Sequence, residues 1–121
     1  MSKEPIIETD RLILRPITLD DAKACFSWNS DGRVTKYMSY STLTDISQTI
    51  DWIKSTLVDE NAWNWAFVLK NENKVIGTGS IGPDAHMKDY WGIGYNLHYD
   101  YWHKGYCTEA MKAIIDFAYK K

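Results

Sequence analysis

The chain has 121 residues, 45% of them hydrophobic and 25% charged, with a formal net charge of −2. That length holds at most one domain, with enough apolar material for a real core. The near-neutral charge gives no general attraction for nucleic acid or an anionic membrane, no apolar run approaches the roughly 20 residues of a membrane span, and the opening residues lack a signal-peptide core.

Residues 10–17 alternate, with Leu12 and Leu14 on one face and Arg11, Ile13 and Arg15 on the other, until Pro16 stops the run. The period of two predicts a strand. Thr18 or Asp20 then caps a short helix carrying Ala22, Cys25 and Phe26, and the adjacent acids Asp20 and Asp21 suit its positive end. Asn29-Ser30-Asp31-Gly32 breaks it, and Val34 to Tyr40 shows no clear period. Thr42 or Thr44 caps a second helix, where Ile46, Ile50, Ile53 and Leu57 form an apolar stripe and Trp52 is the one aromatic on the polar side. Trp65 to Leu69 reads as a strand, Asn71-Glu72-Asn73 as a hairpin loop and Val75 to Ile81 as the returning strand. Gly77, Gly79 and Gly82 within that hairpin point to a bulge or a close approach by another group. After a polar loop from Pro83 to Lys88, Asp89 to Tyr99 forms the next strand. The last helix places Ala110, Met111, Ile114, Ile115 and Ala118 on one side. The order β-α-α-β-β-β-α, with short loops between the last three strands, predicts a mostly antiparallel sheet flanked by helices, an α/β or α+β sandwich.

The most informative stretch is Tyr101-Trp102-His103-Lys104-Gly105-Tyr106-Cys107-Thr108-Glu109-Ala110-Met111. A strand meets a short basic turn, and a helix begins directly after it. Main-chain N–H groups from Lys104 to Thr108, the helix dipole and the Lys104 charge can together receive a phosphate. Gly105 allows close approach of the backbone. A strand-to-helix turn also needs a glycine and a cap without any ligand, so these residues alone leave both readings open.

Gly94-Tyr95-Asn96-Leu97, a short spacer and Tyr101 to Ala110 resemble the acetyl-CoA signature of the GNAT N-acetyltransferases. The branch they resemble includes the ribosomal-protein N-terminal alanine and serine acetyltransferases. The opening Glu8-Thr9-Asp10-Arg11-Leu12-Ile13-Leu14-Arg15-Pro16 is similar to that branch's first strand, and the element order matches the first part of its fold. The resemblance thus covers the whole chain as one part-domain, residues 1–121. It implies acetyl transfer from acetyl-CoA to a primary amine, on a protein N-terminus or a small molecule, by direct attack. Carried over, Trp102, His103, Lys104, Gly105, Tyr106, Cys107 and Thr108 cradle the CoA pyrophosphate. Leu97, His98 and Tyr99 offer main-chain groups to the pantetheine arm, and the Leu97 N–H faces the thioester oxygen as oxyanion donor. Here His103 stands at a usual glycine, Cys107 at a usual alanine, and Gly92 where relatives often place an acid.

On the acceptor side, His98, Asp84, His86 and Asp89 are candidate proton acceptors and Tyr95 a relay through water. Trp28, Tyr37, Met38, Tyr40 and Trp63 are candidates for the acceptor cleft, with core packing as the competing role. The histidines and the two cysteines, Cys25 and Cys107, suggest neither a metal site nor a disulfide framework, and a reducing cytoplasm is the expected compartment. Domains of this family continue with another strand, a helix and two more strands. The resemblance therefore implies that the Asp89–Tyr99 strand has an unpaired edge, which a second copy of the chain would satisfy. The competing function is a non-catalytic remnant or dimerising module of the same fold, with weak or no CoA binding.

Overall fold

The computed structural model describes residues 4–36, 41–59, 61–83 and 91–119. One five-stranded antiparallel sheet runs in sequence order through β1 (Ile7–Glu8), β2 (Leu12–Pro16), β3 (Trp63–Leu69), β4 (Lys74–Pro83) and β5 (Trp91–Leu97). Helices α1 (Ala22–Asn29), α2 (Gly32–Thr35) and α3 (Ile46–Val58) lie between β2 and β3, and α4 (Tyr106–Tyr119) comes after β5.

The alternation seen in the sequence assigns the two faces. Leu12, Leu14, Trp65, Phe67, Leu69 and Leu97 pack with Ala110, Met111 and Ile114 of α4. A second cluster of Ile17, Cys25, Trp28, Val34 and Ile53 gathers α1, α2 and α3. Burial pushes the Cys25 thiol up to about 12, with the Asp21 carboxylate adding to the effect. Such a thiol is inert packing, not a nucleophile.

Gly79 is a packing device of the hairpin. A Cβ built there would stand 2.5 Å from Cζ of Phe67, so β4 is bare where the Phe67 ring crosses it. The strand register also shifts between Phe67 and Val68, which is the bulge that the glycines suggested. Asn73 closes the hairpin with φ 49°, a left-handed position that Asn tolerates.

Several boundaries differ from the sequence reading. The two-residue β1 is too short to show a period, and it pairs Ile7 with Leu14. The break falls on Ser30 and Asp31 alone, and α2 starts again at once because the Asp31 side chain accepts from the Arg33 N–H. The cap of α3 is Asp45, neither Thr42 nor Thr44. Its carboxylate accepts from Ser47 N–H, and Gln48 Oε1 accepts from Asp45 N–H, a reciprocal box. The α3 stripe is only partly covered, since Ile53 is buried while Ile46 and Leu57 are exposed. At the start of α1, Asp21 is buried and accepts from both Arg15 Nη atoms, at 2.7 and 2.9 Å, and from Thr18 N–H. Its charge is therefore structural.

The end of β5 sets the orientation of the strand-to-helix turn. His98 N–H donates to Ile76 O at 2.8 Å, so His98 is a hydrogen-bonded position of the antiparallel ladder. The neighbouring Leu97 then directs its N–H and C=O away from β4, toward the side on which β5 has no strand partner among the described residues.

Candidate functional site

A tight turn joins β5 to α4. Tyr99–Tyr101 form a short 3-10 helix, and His103 and Gly105 then take left-handed conformations, with φ 64° and 82°. The first hydrogen bond of α4 runs from Glu109 N–H to Gly105 O at 3.0 Å. The N–H groups of Tyr106, Cys107 and Thr108 come before any intrahelical acceptor, as at every helix start. Lys104, Gly105 and Thr108 are exposed and Tyr106 and Cys107 partly so, which leaves the rim at the start of α4 accessible beside Lys104. This is an anion-binding geometry, with dipole, free amides and a cation in one place.

The neighbouring groups are already committed to holding the turn. Trp102 Nε1–H donates to Leu97 O at 2.9 Å, which occupies the outward carbonyl of β5 and leaves the Leu97 N–H as its outward donor. Arg11, at the start of β2, donates from Nη1 to Lys104 O at 3.0 Å and from Nε to Glu109 Oε1 at 2.7 Å. Burial acts to raise the Glu109 pKa, but hydrogen bonds from Thr9 and Arg11 outweigh it and hold the carboxyl below its usual range. Cys107 is half-buried and its thiol is raised by burial, so it does not supply a thiolate to the cradle.

His98 and Tyr99 differ from expectation. Neither lies in β5. The His98 N–H is spent on Ile76 and its C=O accepts from Tyr101 N–H, so its main chain is unavailable to a ligand strand. Its Nδ1 accepts from Asp100 N–H at 3.1 Å, so the imidazole caps the 3-10 helix. Asp100 Oδ2 also lies 3.8 Å from Nδ1, but the amide contact fixes Nδ1 as an acceptor in this geometry. The Arg33 guanidinium lies over the Tyr99 ring, 4.0 Å from its centroid, and the Trp102 ring meets Tyr99 at 4.9 Å with a 50° tilt. Arg33 thereby links α2 to the turn, a contact that no local sequence pattern announces.

A cavity of about 440 Å³ opens between α3 and the sheet, bordered by Asn29, Gln48, Trp52, Asn64, Ser80 and Asn96 among others. Tyr95, half-exposed on β5, also borders it. Trp28 does not: its side chain is 1% exposed and sits in the helical cluster. Trp63 does not either, because it packs on the other face, edge-on to Phe117 of α4 at 6.1 Å. Trp52, a lone aromatic on the polar side of an amphipathic helix, borders the cavity instead. Tyr37, Met38, Tyr40, Asp84, His86 and Asp89 lie outside the described residues. Among the described residues no group of three or more potential metal ligands comes together, and no helix is long and apolar enough to cross a membrane.

Comparison with known proteins places this geometry. The family model for the acetyltransferase (GNAT) domain matches residues 11–121. An uncharacterized N-acetyltransferase, p20 of Bacillus licheniformis, is 33% identical over 114 residues, which are 92% of this chain and 64% of the relative. The chain thus spans just under two thirds of that relative's length. A GNAT-family acetyltransferase from Bacillus anthracis superposes with a TM-score of 0.79 at 25% identity, covering 96% of this chain and 67% of that one. The Microcin C7 self-immunity acetyltransferase MccE, solved with acetyl-CoA and AMP, superposes with a TM-score of 0.72 at 22% identity over 89% of this chain and 62% of that one. The strand-to-helix turn, the sheet that leads into it and the sequence from Arg11 onward agree: the chain belongs to the GNAT acetyltransferase family.

Proposed function

We propose that the chain carries the acetyl-CoA half of an N-acetyltransferase. The CoA pyrophosphate sits on the Gly105–Thr108 amides beside Lys104, and the pantetheine arm runs along the free side of β5. The observation that carries this reading is the outward Leu97 N–H, next to an accessible turn that opens a helix. A thioester oxygen at Leu97 would receive that N–H as negative charge develops on it. A primary amine, from a protein N-terminus or a small molecule, attacks the acetyl carbon directly. The new C–N bond forms, the C–S bond breaks with its electron pair going to CoA sulfur, and the amine proton leaves through water while the departing thiolate takes one from solvent. Tyr95, bordering the cavity, is the described side chain placed to relay it. The acceptor approaches through the α3 cavity, where Trp52, Asn64 and Ser80 replace Trp28 and Trp63 as binding candidates. No resident metal is needed for such a transfer, and the two free thiols suit a reducing cytoplasm.

Calorimetric titration with CoA and acetyl-CoA tests the cofactor claim, and saturable binding is the expected result. Thr108→Asp adds an acid that the helix start favours but a phosphate does not. It should leave stability intact and weaken CoA by about tenfold or more. Gly105→Asp should abolish binding, since it adds bulk and charge where φ is 82°. Unchanged CoA affinity in both variants would move the pyrophosphate elsewhere.

A further inference from the structure

We propose that Arg11 and Glu109 form a clamp that fixes the phosphate turn in its binding shape, making Arg11 a positioning residue that does not touch the ligand. This rests on the acetyl-CoA reading above. Among the described residues, the polar contacts of the Arg11 side chain end on that turn or on the first turn of α4. Nη1 donates to Lys104 O at 3.0 Å, Nε donates to Glu109 Oε1 at 2.7 Å, and the guanidinium carbon lies 4.3 Å from the Tyr106 ring centroid. The Arg11 main-chain N–H adds a bond to Glu109 Oε2 at 2.9 Å, and Thr9 Oγ1–H donates to the same oxygen. Nη2 comes within 3.3 Å of where a Cβ on Gly105 would stand, so the glycine admits the guanidinium as well as the ligand.

Peptide geometry links this clamp to the ligand-facing donor. The C=O of Lys104 and the N–H of Gly105 belong to one planar trans unit and point in opposite directions. Holding that oxygen toward Arg11 aims the Gly105 N–H away from it, toward the rim. Without the clamp the unit, which joins Lys104 to the left-handed Gly105, can rotate, taking the donor with it. Arg11 also balances Glu109, whose carboxylate would otherwise compete with a phosphate for the same helix end. The pair is partly exposed, with side chains 43% and 19% accessible, so it contributes little to global stability. Its effect is on geometry.

The test uses Arg11→Gln, Arg11→Lys, Glu109→Gln and the Arg11→Gln/Glu109→Gln double variant. Two measurements are made on the purified chain: CoA affinity by calorimetry, and hydrogen exchange of the first bonded amides of α4, from Glu109 on, without ligand. Each single variant should bind CoA about tenfold more weakly and exchange those amides faster, with the urea midpoint nearly unchanged. The double variant should be no worse than the weaker single one, because both remove the same device. Lysine should not restore binding, since one ammonium cannot fork to Lys104 O and Glu109 together. Additive losses, rescue by lysine, or normal affinity in Arg11→Gln would overturn the clamp. Should the unaltered chain bind no CoA, the acetyl-CoA reading falls by itself. The exchange rates then decide the clamp: faster exchange in the single variants supports it and unchanged exchange refutes it.

Discussion

His103 is the residue at which local chemistry and fold disagree most. It stands where the family resemblance expects glycine, and its φ of 64° shows why glycine is expected. A non-glycine residue held left-handed costs roughly 1 kcal/mol, and histidine is among the types that tolerate it best. His103→Gly removes that cost but returns part of it through a more flexible unfolded chain. Denaturant unfolding should therefore show a gain of up to about 1 kcal/mol, and a clear loss would mean that the imidazole holds the turn. Leu97 and Trp102 show a different residue-scale lesson. Their family roles were legible as positions in a motif. Only the register with β4 and the indole bond to Leu97 O reveal which main-chain group of β5 stays outward. His98 shows the reverse: its main chain is used up, the N–H on Ile76 and the C=O on Tyr101, and its imidazole caps the 3-10 helix at Asp100.

At the scale of elements, the long periodic segments were readable and the short ones were not. β3, β4, α3 and α4 are long enough to be recognised from their apolar content, although the α3 cap fell on Asp45 and not on a threonine. β1 and α2, with two and four residues, carry no period and exist because their neighbours supply partners. Glycines in β4 were visible as anomalies, but their reason is tertiary. Gly79→Ala would press a methyl into the Phe67 ring at 2.5 Å, and overpacking of this kind costs about 1–3 kcal/mol. Urea unfolding checks it, and an unchanged midpoint would show that the ring moves freely. The cavity beside α3 belongs to this scale as well. It forms where α3 stands off the sheet above small residues such as Ser80 and Gly94. Trp28 was drawn away from it by burial in the helical cluster, as a large apolar ring usually is.

For the whole molecule, β5 is the last strand of the sheet among the described residues, and the same outward Leu97 N–H can serve a ligand or a neighbouring strand. Self-pairing through this edge and binding of pantetheine are then mutually exclusive. Sedimentation velocity at rising concentration should show association that saturating CoA suppresses. Association indifferent to CoA would place the dimer contact elsewhere, and a monomer at all concentrations would remove it. A dimer that never binds CoA would instead favour the interaction-module reading.

The amino-acid sequence by itself determined the alternating faces of the sheet, the amphipathic helices and the basic glycine turn, because each depends on period, capping or backbone freedom among near neighbours in the chain. Its resemblance to GNAT acetyltransferases, carried by residues around that turn, agrees with the family match over residues 11–121. Tertiary structure alone decided that Arg11 reaches across to Lys104 and Glu109, that Leu97 rather than His98 keeps a free outward amide, and that Trp52 instead of Trp28 meets the cavity. Each of these joins residues distant in the chain or depends on strand register, and no local pattern encodes such a contact.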